Sequence, residues 1–385
     1  MIPLRYNVRS VFERRATSLM TILGVGMVAM IFVILFGFIG GLQRTLLNAG
    51  GEQNWIVLAR GAPQENASMV PHAQVDVIRV RPELATNSDG APLMSPEALS
   101  GVNVSRDNRY KQFVTLRGVL PIAYQVHRQM RLVSGRWPIR GNDEWVVGAK
   151  VAARYPYLTP GQKFHYDRRD WAIVGIFTDN DSARESEILT DNSDLLVDRH
   201  WTESAGSLHI VLKPGSAQAF QDAIKADGRL KVDVISEADY YAAQSQIVNQ
   251  LKSLGLIVAI ALGIGATFGG MNTMYTAVAR RQREIGVLRV LGFSRANILG
   301  SFVAESAILG IGGGIAGVIL SVIVAGITGL NSRQMSVGSL FFSYHASLRS
   351  IEAGLLVATI IGVLGGLMPA WRAARIGIID SIREA

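Results

Sequence analysis

The 385-residue chain contains no cysteine, which excludes disulfide staples, thiolate zinc sites and cysteine nucleophiles. It also lacks any G-x-x-x-x-G-K-[ST] run, so nothing in it can cradle nucleotide phosphates in the P-loop manner. H-E-x-x-H and G-x-S-x-G are missing as well, "GFSRA" from Gly292 being a near miss in the wrong setting. The six histidines, His72, His127, His165, His200, His209 and His345, stand without metal-ligand spacing and read as ordinary structural or surface residues. No catalytic residue and no metal ligand is assigned, and an enzyme is not expected.

Apolar residues, by contrast, are abundant: 49% of the chain is hydrophobic, with a mean hydropathy of +0.25, too apolar for an ordinary soluble protein. The excess is concentrated in four uncharged runs, Leu19 to Leu42, Leu254 to Val278, Ile308 to Leu330 and Ala353 to Trp371. Each is near the ~20 residues that a helix needs to cross a bilayer core. A cleavable signal peptide is the rival for the first run, but it is too long and no clear cleavage site follows.

The net charge of +8 is unevenly placed. Gln43 to Ser253 holds 24 basic and 24 acidic residues, whereas the remainder holds 14 arginines against 6 acids. Twelve of these arginines lie in three stretches: the N-terminal tail (Arg5, Arg9, Arg14, Arg15), "ARRQREIGVLRVLGFSRANIL" (Arg280, Arg281, Arg283, Arg289, Arg295) and the C-terminal tail (Arg372, Arg375, Arg383). Only Arg333 and Arg349 fall in the short loop between the last two runs. By the positive-inside rule both termini and the arginine-rich stretch are cytoplasmic, the neutral segment is outside, and nucleic acid is not a partner. The membrane is the expected surroundings.

The neutral segment is long enough to bury its own core. "NWIVLA" (Asn54 to Ala59), "VDVIRV" (Val75 to Val80), "FVTLRGV" (Phe113 to Val119) and "WAIVGIF" (Trp171 to Phe177) read as strands. "LHIVL" (Leu208 to Leu212), a helix over about Ser216 to Asp227 and "LKVDVI" (Leu230 to Ile235) read as a β-α-β unit. Strand order cannot be read. The acidic run Asp179 to Asp194 reads as a solvated loop, with a cation or a basic partner as the other reading.

Ser236 and Asp239 form an S-x-x-D cap, and no proline interrupts Glu237 to Val278. One helix there would be near 63 Å long at 1.5 Å per residue, about half of it projecting outside as a stalk; a bend near Gly255 is the alternative. In the arginine-rich stretch Ile285, Leu288 and Leu291 give one apolar face. Gly292 reads as C′ of that short helix and Ser294 as the next N-cap. The stretch is either a charged loop at the lipid headgroups or a docking helix. Glu305, soon after, reads as paired with an arginine such as Arg295 or with a helix end, or as a proton relay.

Pairs of small residues at spacing four occur in every run: Gly37/Gly41, Gly265/Gly269, Gly313/Gly317 and Gly362/Gly366. They predict close helix packing, within the chain or between two copies. "GGGIAG" (Gly312 to Gly317) matches G-x-G-x-x-G but sits in a membrane run, so a dinucleotide site is not read from it.

"RQREIGVLRVLGFSRANIL" together with the ending "MPAWRAARIGIIDSIRE" resembles the permeases of the MacB/FtsX superfamily (type VII) of ABC transporters. "LVSGRWP" (Leu132 to Pro138) and "GAKVAARY" (Gly148 to Tyr155) resemble that family's extracytoplasmic core more weakly. Ile378 departs from the pattern, where many members have proline, and MacB's fused ATPase is absent here. The resemblance implies a membrane protein with four transmembrane α-helices and a large α+β extracytoplasmic domain between helices 1 and 2. The corresponding assignment is a cytoplasmic tail (1–18), helix 1 (19–42), core domain (43–236), stalk and helix 2 (237–278), coupling elbow (279–297), helix 3 (298–330), external loop (331–350), helix 4 (351–371) and cytoplasmic tail (372–385).

The resemblance further implies that Arg283, Glu284, Ile285, Gly286, Leu288, Arg289, Leu291 and Gly292 contact a separate ABC ATPase dimer, which carries ATP and Mg while this chain binds no cofactor. A second copy of the permease, membrane lipid and a membrane-fusion adaptor are the other candidate partners, in a bacterial inner membrane. The implied function is mechanotransmission, coupling ATP hydrolysis to export, extraction or release of a substrate outside the membrane. The alternative is a signalling or scaffold protein that regulates an extracytoplasmic enzyme without transport.

Overall fold

The computed structural model describes residues 13, 15–48, 53–105, 111–167, 169–199, 201, 204–244, 246–330 and 334–376. Arg5, Arg9, Arg14, His200, Arg333, Ile378 and Arg383 lie outside them.

Helix α1 (Arg15–Leu47) leads into β1 (Asn54–Ala59), β2 (Val70–Pro71), α2 (His72–Arg79), β3 (Met94–Ser105), β4 (Lys111–Val119) and α3 (Ala123–Val126). Next come β5 (Arg131–Gly135), β6 (Glu144–Gly148), α4 (Ala149–Arg154), β7 (Lys163–Tyr166), β8 (Arg169–Thr178), β9 (Glu187–Asp191) and α5 (Asn192–Asp198). The domain closes with β10 (Ser204–Ala205), β11 (Ser207–Val211), α6 (Ala217–Ala226), β12 (Val232–Ser236) and α7 (Glu237–Gln244). The remainder is α8 (Gln246–Ala279), α9 (Gln282–Val290), α10 (Arg295–Thr328), a hairpin of β13 (Gln334–Val337) and β14 (Leu340–Ser343), and α11 (Leu348–Arg375).

The chain divides into two compact units: 41–248 with 332–343, and the remainder. In the second unit α1, α8, α10 and α11 are long and apolar enough to cross a membrane. Apolar surface left exposed along α8, such as Ile257, Ile264 and Phe268, is what a lipid-facing helix carries.

The α/β unit is built on one sheet of order β12-β1-β11-β3-β4-β9-β6-β8-β5, with β7 also pairing β8. Pairing is antiparallel except for β4 with β9 and β6 with β8. Strands β11 and β12 both run antiparallel to β1 and flank it, so the expected β-α-β unit is split by the strand from Asn54 to Ala59. Trp145, Trp171, Ile173 and Val147 fill one core cluster, and Phe220, Ile210 and Val57 another.

Three expectations change. Val75 to Val80 is helical, because Val75 and Ile78 at spacing three are the buried residues of α2. The acidic run is not a solvated loop: Glu185 Oε1 accepts from Asp179 N (2.7 Å), Asp181 N (2.9 Å) and Thr178 Oγ1 (2.6 Å), and Asp191 caps α5 through Ser193 N. Its carboxylates are satisfied by the fold itself. The segment expected as an external loop is a hairpin that belongs to the α/β unit, where Phe341 is fully buried and its N–H donates to Ser186 Oγ at 2.8 Å. The helix from Gln246 runs through Gly255 without a break, and Ser236 Oγ accepts from Asp239 N, as the capping pattern predicts.

Candidate functional site

The C-terminal end of the elbow is defined by local chemistry. There Gly292 has φ +90°, a conformation that costs a side-chain-bearing residue but not glycine. Its N–H donates to Arg289 O (3.2 Å) and the Phe293 N–H to Leu288 O (3.1 Å), which is the double closure of a Schellman motif. Ser294 then caps α10, its Oγ accepting from Asn297 N at 3.2 Å. Gly292 and Ser294 therefore do what their sequence positions predict.

The apolar residues of α9 do not share one face. Ile285 is 2% exposed and packs with Met274, Ile298, Phe302 and Ala370. Leu288 is half-buried and lines a cleft with Ile298 and Phe302. Leu291, by contrast, is 69% exposed, beside exposed Val287 and Val290. A register of three misjudged a 3.6-residue helix: Leu291 lies well round from Ile285. Gly286 is buried, whereas Arg283 and Glu284 are exposed. Arg289 is half-buried. The arginine that meets Glu305 is Arg281, at 3.1 Å, not Arg295.

The small-residue pairs divide. A Cβ on Gly317 would lie 2.5 Å from Gly26 O and one on Gly313 2.8 Å from Val25, so α10 lies against α1. Gly362 would meet Gly310 Cα at 2.6 Å and Gly366 would meet Ser306, joining α11 to α10. Gly37 and Gly41 abut Tyr344 and Ser343 rather than a helix, and Gly265 and Gly269 meet nothing within 4 Å. Helix packing inside the chain thus uses the pairs of α10 and α11 but not that of α8.

A second constellation was invisible in the sequence. Arg117 Nη1 donates to Glu65 Oε2 (2.6 Å) and Glu97 Oε2 (2.8 Å), while its Nε and Nη2 form a fork with Glu187 (2.6 and 2.9 Å). His127 Nε2 lies 2.9 Å from Glu97 Oε1, His209 Nε2 3.2 Å from Glu65 Oε2, and Arg184 pairs with Glu237. Except for Glu187, each of these side chains is under 5% exposed. Burial opposes ionisation of Glu65, but Arg117 and His209 outweigh it and hold the carboxyl below its usual range. Glu97 behaves likewise: burial is outweighed by His209, His127 and Arg117. For His127 burial and Arg184 prevail, so its pKa is lowered. Glu97, His127 and His209 come close enough to hold a metal ion, yet Arg117 Nη1, 2.8 Å from Glu97 and 3.4 Å from His209 Nε2, already supplies a cation to two of the three. The geometry is that of a salt-bridge network.

With this geometry in view, residues 18–227 match the MacB-like periplasmic core domain family and residues 256–378 the FtsX-like permease C-terminal family. The chain belongs to the MacB/FtsX-type ABC transporter permeases. It is 23% identical to an uncharacterized ABC transporter permease of Methanocaldococcus jannaschii across 99% of this chain and 97% of that one. To the uncharacterized permease YknZ of Bacillus subtilis it is 25% identical, across 99% and 98%. A macrolide export ATP-binding/permease protein MacB of Mannheimia succiniciproducens is 36% identical over 34% of this chain and 19% of that protein. Among solved structures, the periplasmic region of MacB from Actinobacillus actinomycetemcomitans covers 50% of the chain and 92% of itself at 11% identity, with TM-score 0.38. The FtsX-like match contains α9 and Gly292, and the MacB-like match contains Arg117 and most of its network.

Proposed function

We propose that this permease is a mechanotransmitter: a separate ATPase dimer, which binds ATP and Mg, docks on α9, and its movement is passed through α8 to the periplasmic core domain to drive export or release of a substrate. The supporting observation is the exposed apolar patch Val287, Val290 and Leu291, on a short helix with Arg283 and between two membrane-length helices. Such a patch on an otherwise charged turn is suited to a partner surface. The arginine distribution supports a cytoplasmic position for both termini and for residues 279–297, with 43–236 outside. Two copies of the chain and an adaptor complete the assembly in this reading.

The test is co-purification from a bilayer with the cognate ATPase. Val290→Asp leaves membrane insertion and folding intact and abolishes assembly, while the unmodified chain alone hydrolyses no ATP. Full assembly of Val290→Asp, or hydrolysis by the chain alone, overturns the reading.

A further inference from the structure

The periplasmic core domain holds a cavity of about 540 Å³ that the coupling reading does not use. Its size is that of a small-molecule site, which runs from roughly 300 to 1,000 Å³. Two properties of its lining specify a ligand chemistry.

The first is aromatic. Phe113 and Trp201 line it and remain 52% and 38% exposed, although Trp145 and Trp171 of the same domain are fully buried. Tyr240 and Tyr241 stand beside them. Both tyrosines are buried, and the Tyr240 hydroxyl accepts from Glu65 N (3.2 Å). Leu340 of the hairpin contributes to the other side. Open aromatic faces favour apolar bodies and, through the ring quadrupole, cations.

The second is charge. Glu65, Arg117 and Glu187 are the charged residues of the lining, two carboxylates to one guanidinium. Behind them the network adds Glu97 and Glu237 against Arg184, so four carboxylates face two guanidiniums. The imidazoles of His127 and His209 sit among these groups, against Glu97 and Glu65. The guanidinium of Arg117 has its Nε, Nη1 and Nη2 committed to three carboxylates, and offers little to an incoming anion. A lining with one carboxylate in excess beside a low-dielectric wall attracts a cation.

We propose that this cavity binds an amphiphilic organic cation, its charged centre near Glu187 and Glu65 and its apolar body against Phe113 and Trp201. The site goes beyond the coupling reading and rests on it only in taking the ligand as cargo; binding itself needs neither ATPase nor nucleotide.

The experiment uses the full chain in neutral maltoside micelles, without ATPase, and compares tetraphenylphosphonium with its isosteric anion tetraphenylborate by equilibrium dialysis. The cation binds saturably at one site per chain, and the borate shows only linear partition into micelles. Glu187→Gln weakens cation binding at least tenfold, as does Trp201→Ala, whose rim position leaves the salt bridges intact and the thermal transition unchanged. Linear partition of both ions, saturable binding of the borate with similar affinity, or unchanged cation binding in Trp201→Ala overturns the proposal. Failure of the ATPase to assemble leaves all of these readings in place, so the two ideas fail separately.

Discussion

Arg281, at the N-cap of α9, reaches Glu305 on α10 with Nη1 3.1 Å from Oε2, and its Nε lies 2.9 Å from Glu284 Oε2. Its guanidinium also stands 5.5 Å from the centre of the Phe302 ring. One side chain therefore fastens the start of the elbow to the helix that follows it.

Because Glu305 is 3% exposed and Arg281 12%, Glu305→Ala leaves a half-dry guanidinium with one carboxylate fewer, at a cost of about 1–3 kcal/mol. In a double-mutant cycle with Arg281→Gln the two losses are less than additive. Thermal unfolding in micelles measures this; strict additivity shows that the pair carries no coupling.

The two faces of α9 separate stability from assembly. Ile285→Asp places a carboxylate in a packed apolar cluster and lowers the unfolding temperature by several degrees. Leu291→Asp, at 69% exposure, leaves that temperature within a degree or two and weakens ATPase capture. Equal effects of both on stability contradict the assignment of faces.

Glycine substitutions distinguish contacts inside the chain from contacts beyond it. Gly317→Ala and Gly362→Ala drive a Cβ into the backbone of a neighbouring helix, at 2.5 and 2.6 Å, and destabilise the helical unit. Gly269→Ala meets open space and leaves the monomer's unfolding temperature unchanged. Should Gly269→Ala be as damaging as Gly317→Ala, α8 packs differently.

Acid titrates the buried network in a fixed order. The His127 pKa is lowered from 6.5, so the unfolded chain takes up its proton first and stability falls as pH drops below about 6.5. Glu65, Glu97 and Glu237 are all held below their ordinary 4.5; their contribution is complete above that value and lost as pH falls further. Near-ultraviolet dichroism of the full chain, which contains buried Trp145 and Trp171, follows both stages. In His127→Asn the first stage disappears and the second stays; a stability that is flat down to pH 4 contradicts the network.

A proline at Gln250 tests α8 as a lever. It removes a backbone donor and strains the preceding turn, at about 3 kcal/mol or more. Substrate release is lost while basal ATP hydrolysis by the assembled partner continues; full transport by Gln250→Pro means that motion does not pass through this helix.

Much of the fold is legible from short-range rules. The uncharged runs predict α1, α8, α10 and α11 because a backbone in lipid must satisfy its own hydrogen bonds. Gly292 and Ser294 are readable as caps because capping involves residues within a few positions. "VDVIRV" misleads because its apolar residues satisfy both a period of two and a spacing of three, and only the neighbours of Val75 and Ile78 choose helix. The buried network could not be read at all. Glu65 and Glu237 lie on opposite ends of the domain in sequence, and Arg117 meets Glu187 only because β4 pairs parallel with β9.

The sequence by itself determined the membrane spans, the neutral α/β insertion and the C-terminal end of the elbow, since hydropathy, charge and capping act locally. The tertiary structure alone decided that Ile285 turns inward while Leu291 turns out, that Phe341 joins the core of the α/β unit from far along the chain, and that four glutamates converge on Arg117 and Arg184. Each of these depends on contacts between residues remote in the chain, where burial and Coulomb energy are set by distance in space and no local pattern reports it.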